Sequence, residues 1–238
     1  MRDYQKIAEE ISEGYKNYSG LIGILWIGSS AFGINNNEAD IDIRLLVDRS
    51  EKVNPMKQFT KNGIQIEVDE MGWQWLTQNL SPDSDQRWIR EKSVILYDPE
   101  NKIAGKFKQL AAQVKKEIKI QLWQFFKDTF YSNEIDKCLK RNDRETTNLY
   151  FYKSADSILK FIFLYHDQPV PPFKWRWHFL IKDKLLSAQM IKQLQEIILN
   201  SRLVETKLKT LIAVEKDFQR LMIKKGYKPE MVREHWRF

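Results

Sequence analysis

Asp40-Ile41-Asp42-Ile43 constrains this chain more than any other stretch, because it places two carboxylates on a segment that otherwise reads as a buried strand. Residues 40–47 alternate polar and apolar at first and then become wholly apolar, the pattern of a partly buried strand. On a strand, residues i and i+2 share a face, about 6–7 Å apart along the chain. Two like charges held there repel each other unless a cation lies between them. Hard cations such as Mg²⁺ take carboxylate oxygens and keep positions free for substrate phosphates.

What lies ahead of the pair fits the same chemistry. The apolar run Leu21–Ile27 reads as a strand that ends at Gly28-Ser29-Ser30, and ten residues separate Ser29 from Asp40. A glycine at a strand end lets backbone N–H groups approach phosphate oxygens, and a serine adds a hydroxyl donor. The turn signal Lys61-Asn62-Gly63 precedes a third strand at 64–68, with strict period-two alternation. Ile64, Ile66 and Val68 share one face of it, and Gln65, Glu67 and Asp69 the other. If that strand lies beside the Asp40–Asp42 strand, Glu67 or Asp69 completes a carboxylate cluster that can ligate a metal or accept a hydroxyl proton.

The order Gly28-Ser29, a ten-residue spacer, Asp40-Ile41-Asp42, then an acidic residue on an apolar strand resembles the DNA polymerase β-type nucleotidyltransferase superfamily. The antibiotic nucleotidyltransferases, which act on aminoglycosides or lincosamides, are the members it resembles most. The motif covers residues 21–70. One departure is Ala39, where many members carry Ser. The resemblance implies that Gly28 and Ser29 hold nucleotide phosphates and that Asp40, Asp42 and Glu67 are catalytic Mg²⁺ ligands of a two-metal site. Glu67 is preferred to Asp69 because the family's acid sits mid-strand before an apolar residue, as in Ile66-Glu67-Val68. The implied reaction is transfer of a nucleoside monophosphate, with ATP as donor, to a hydroxyl of a small acceptor. The alternative is a nucleotide-binding, antitoxin-like interaction protein that binds or modifies a protein or tRNA partner.

The remaining segments set the architecture. Tyr4, Ile7, Ala8, Ile11 and Tyr15 recur at helical spacing. Residues 73–80 read as a short helix stopped at Ser81-Pro82, and 93–97 as a further strand. From Lys106 onward the apolar period is near 3.6, broken by Pro169-Val170-Pro171-Pro172. The fold class expected is α+β: a catalytic domain at 1–105, with a mixed sheet flanked by helices, and an all-helical domain at 106–238. The helical domain is expected to bind the acceptor and cover the nucleotide.

Net charge, +7 in total, divides in the same place. Residues 1–105 hold 12 basic and 17 acidic residues, and 106–238 hold 27 and 15. An anionic acceptor, RNA included, suits the second half, whereas a polycationic one suits the first. A small acceptor is favoured over nucleic acid.

In Phe173-Lys174-Trp175-Arg176-Trp177, Lys174 is read as a nucleotide-binding cation, while Arg176 is expected to be solvated and Trp177 packed. Trp73, Trp75 and Trp88 are expected to line a core or cleft, and His166, His178 and His235 lack metal-ligand spacing. The one cysteine, Cys138, excludes an internal disulfide and has no partner motif for a nucleophile. No apolar run reaches the roughly 18–20 residues of a membrane helix, and the N-terminus lacks a signal-peptide core, so a cytoplasmic location is expected.

Overall fold

Burial of a single helix stripe organises the first part of the chain. In the computed structural model, which describes residues 3–34, 39–48, 56–198 and 203–230, α1 spans Tyr4–Tyr15. Asp3 caps it by accepting from the Lys6 amide at 3.1 Å. Tyr4, Ile7, Ala8 and Ile11 turn inward and pack on one face of a sheet, against Ile24, Trp26, Ile41, Ile43, Leu45, Ile64, Ile66 and Val68.

Five strands build that sheet: β1 (Leu21–Ile27), β2 (Ile41–Val47), β3 (Lys57–Lys61), β4 (Ile64–Gly72) and β5 (Val94–Tyr97). Their order is β3-β4-β2-β1-β5. Every neighbouring pair is antiparallel except β2 with β4, which is parallel. Asn62 (φ 54°) and Gly63 (φ 72°) join β3 to β4. Two successive left-handed residues are what a tight hairpin with native twist requires.

Two features of the sheet differ from the sequence reading. β3 was not expected, because Lys-Gln-Phe-Thr-Lys shows no clear apolar alternation and its side chains stay largely exposed. β4 runs four residues beyond Val68, pairing with β2 as far as Val47 opposite Gly72. Glu70 is buried in that extension because the Tyr18 hydroxyl donates to it at 2.7 Å.

Short helices follow the strands: α2 (Gly28–Ala31), α3 (Trp73–Thr77) and α4 (Asp85–Lys92). Helix α5 (Lys102–Lys127) crosses the division between two compact units, residues 1–116 and 117–238. The polar loop at 33–38 lies outside the described residues from Asn35 to Glu38, as does His235. No helix among the described residues is long and apolar enough to cross a membrane.

The second unit is helical throughout its described length: α6 (Ser132–Lys140), α7 (Arg144–Tyr165), α8 (Phe173–Lys182), α9 (Ala188–Ile198) and α10 (Val204–Lys224). Its core is an aromatic cluster in which Phe126, Phe130, Phe161 and Phe218 meet at centroid distances of 5.3–6.2 Å. Pro169 to Pro172 separate α7 from α8 as expected. Arg176 is a correction: it is 4% exposed, donating to the Pro171 carbonyl at 2.9 Å and paired with Asp156. Cys138 is buried.

Glu215 on α10 is 2% exposed and accepts from the Ser132 hydroxyl at 2.9 Å through Oε2, while Oε1 has no partner. Burial pushes its carboxyl up from an ordinary 4.5 to about 7. The folded chain therefore keeps a proton that the unfolded chain releases near pH 4.5. This stability is full below pH 4.5 and lost as the pH rises through about 7. The loss is roughly 3 kcal/mol. Glu215→Gln is expected to melt close to the parent at pH 5 and about 5–10 °C above it at pH 8. Identical melting curves at both pH values would refute this assignment.

Candidate active site

Strand register brings the acidic residues together. Ile27 pairs with Asp42 across β1 and β2, and Asp42 pairs with Glu67 across β2 and β4. Paired residues point to the same face, and the apolar alternates Ile41, Ile43, Ile66 and Val68 occupy the face covered by α1. Asp40, two residues before Asp42, joins from the start of the strand. One ligand oxygen from each of Asp40, Asp42 and Glu67 lies within 4.8 Å of the others, and all three residues are half-buried.

Asp42 carries the strain of this arrangement. Burial pushes its carboxyl up from 3.8 to about 7, and the charges of Asp40 and Glu67 add to the effect. Three carboxylates converging without a compensating cation are electrostatically unfavourable. An all-oxygen donor set of this kind fits a hard divalent ion.

Asp69 has a different partner. The Arg44 guanidinium, on the same face of β2 and two residues beyond Asp42, reaches Asp69 Oδ2 at 3.5 Å. Glu67 therefore stands with the aspartates, and Asp69 pairs with a cation. Arg44 lies 4.4 Å from the Trp75 ring centroid, and Arg90 lies 4.9 Å from the same ring. Burial, with the nearby charges of Arg44 and Arg87, lowers Arg90 to about 10. Trp88 is buried and meets Phe32 edge-on at 4.8 Å, so Trp75 and Trp88 both serve packing. Arg44 was missed in the sequence. Its signal is parity, since it continues the Asp40, Asp42 alternation through an apolar run.

Gly28 sits directly against the carboxylates. Its φ is +81°, and a Cβ built there would fall 1.8 Å from Asp42 Oδ2. Both facts demand glycine. Ser29 is half-buried beside it, and its carbonyl accepts from the Ile34 amide at 2.9 Å. Ser30 is committed to structure, its Oγ accepting from Trp26 Nε1 at 3.1 Å. Lys174 belongs to the second unit, exposed in the first turn of α8, with its ammonium 4.7 Å from the Trp175 centroid. His166 and His178 are exposed, and Asp40, Asp42 and Glu67 form the single metal-capable group among the described residues.

The fold has a counterpart among solved structures. A crystal structure of a nucleotidyltransferase-like protein from Exiguobacterium sibiricum 255-15 matches with a TM-score of 0.50, over 98% of this chain and 81% of that one. The fold is nucleotidyltransferase-like. Sequence identity in that match is 12%, so the likeness is one of architecture. No protein-family model and no curated protein matches the chain. The nucleotidyltransferase-like fold thus joins an α+β sheet unit to a helical unit, and the carboxylates lie at the β1, β2 and β4 row of its sheet.

Proposed function

We propose that this chain is a Mg²⁺-dependent nucleotidyltransferase that moves a nucleoside monophosphate from a triphosphate, ATP in the first instance, to an acceptor hydroxyl. The observation that carries this reading is the convergence of Asp40, Asp42 and Glu67 within 4.8 Å on one sheet face. Glycine at position 28, with no room for a side chain beside Asp42, supports it.

In this reading Asp40, Asp42 and Glu67 hold the cation. When bound, Mg²⁺ supplies charge neutralisation at the phosphates and lowers the energy of the leaving pyrophosphate. Gly28 and Ser29 offer backbone N–H groups and a hydroxyl to phosphate oxygens. In this reading an acceptor hydroxyl, deprotonated or guided by Glu67, attacks the α-phosphate. The α-phosphate's bond to the bridging oxygen breaks, and pyrophosphate leaves. Lys174 is assigned to the triphosphate on charge alone. Lys174→Ala is expected to raise KM for the triphosphate several-fold without shifting the melting temperature, and an unchanged KM would remove that assignment.

A small hydroxylated molecule, such as an aminoglycoside or a lincosamide, is the acceptor class we favour. The purified chain should be incubated with Mg²⁺, each labelled nucleoside triphosphate and panels of small, protein and RNA acceptors. Pyrophosphate release coupled to a labelled product supports the reading and names both substrates. Nucleotide binding with no transfer to any acceptor would overturn it in favour of an interaction protein.

A further inference from the structure

The row of paired residues that crosses the site does not stop at Glu67. Gln58 on β3 pairs with Glu67 on β4, so that Ile27, Asp42, Glu67 and Gln58 form one line over four strands. The Gln58 carboxamide donates to Glu67 Oε1 at 2.7 Å, and Gln65 Nε2 donates to the same oxygen at 3.3 Å. We propose that Gln58 is a positioning residue, fixing the Glu67 carboxylate through Oε1 so that its other oxygen is presented to a divalent cation held with Asp40 and Asp42. This inference rests on reading the three carboxylates as a cation site.

The physical case has three parts. A glutamate carboxylate turns freely about its last torsion, whose energy profile is broad. Two donors converging on one oxygen fix its plane, and hydrogen bonds to an ionised acceptor are the strong ones. A neutral carboxamide does this without adding positive charge beside a cation site.

The strand itself separates these requirements. β3 contributes both of its lysines to the α1 face, where Lys61 reaches Glu10 at 2.8 Å and Lys57 lies 5.9 Å from the Tyr15 centroid. Its neutral Gln58 goes to the carboxylate face. Four of the five β3 residues are exposed and none is buried, so the strand adds little to the core. What it adds to the sheet is the end of this row.

The test uses Mn²⁺ alone, titrated into the whole chain and followed by the EPR signal of the free ion. Gln58→Met keeps the length of the side chain and removes its donors. It is expected to weaken Mn²⁺ binding at least about 10-fold, the usual effect of losing a partner that orients a metal ligand. Its melting temperature in EDTA should match the parent's, because the side chain is exposed. Gln65→Met should give a smaller loss, and Lys57→Met, on the other face of the same strand, should give none. Parental Mn²⁺ affinity in Gln58→Met would overturn this proposal and leave the proposed function standing. Equal weakening in Lys57→Met would also overturn it, by assigning the effect to general disturbance of β3. Absence of Mn²⁺ binding in the parent would overturn both readings together.

Discussion

Asp42→Asn is expected to lose nucleotidyl transfer by at least about a thousandfold, and in EDTA above pH 7 to be more stable than the parent. Both effects follow from one crowded carboxylate. Burial first, then the charges of Asp40 and Glu67, lift Asp42 from 3.8 to about 7. Between those values the folded chain holds a proton that the unfolded chain has released. The associated stability is therefore full below pH 3.8 and lost as the pH passes about 7. With allowance for partial solvent screening, the ionised cluster costs roughly 2–4 kcal/mol above pH 7 without a cation. An amide at position 42 removes that repulsion together with a metal ligand. Mg²⁺ should raise the melting temperature of the parent and leave that of Asp42→Asn where it was. An active Asp42→Asn protein, or equal stabilisation of both proteins by Mg²⁺, would contradict the site assignment.

Gly28→Ala is expected to have the second largest effect, at least about a hundredfold on transfer, with loss of most Mg²⁺-dependent stabilisation. The added Cβ would lie 1.8 Å from Oδ2 and 2.9 Å from Cγ of Asp42, far inside contact distance. Asp42 must leave the position it holds beside Asp40 and Glu67. Holding alanine at φ +81° costs about 1–2 kcal/mol in addition. Gly14→Ala provides the control. A Cβ there meets nothing within 4 Å, and its place in α1 favours alanine over glycine. The pair should be compared by pyrophosphate release and by melting with and without Mg²⁺. Parental activity in Gly28→Ala would show that Asp42 can move without consequence.

Legibility in the sequence follows the range of the interactions involved. The stripe Tyr4, Ile7, Ala8, Ile11 announced α1 because those residues bury against one sheet face, and the run Leu21–Ile27 matches β1 residue for residue. Asp40 and Asp42 could be grouped from spacing, with Glu67 or Asp69 as the third carboxylate, because strand parity is a local rule, and Glu67 was preferred by family resemblance. What escaped depends on partners distant in the chain. Glu70 stays in a strand because Tyr18 satisfies it, and Arg176 is buried because Asp156 receives it. The choice between Glu67 and Asp69 turns on Arg44, whose position beside Asp69 follows from the parallel pairing of β2 with β4. β3 has no apolar pattern to read, since it is built from exposed residues. Gln58 was invisible for the same reason.

The parallel pairing of β2 with β4 also bears on how the chain assembles. The β3–β4 hairpin closes locally through Asn62-Gly63, and β1 and β2 pair as antiparallel neighbours. Glu67 belongs to the first of these pieces and Asp42 to the second. Asp40 and Asp42 already repel within the second piece, and docking β2 on β4 adds the charge of Glu67 to that pair. If the three carboxylates hold a divalent cation, that ion is expected to relieve the repulsion during refolding as well, and so to bear on the making of its own site.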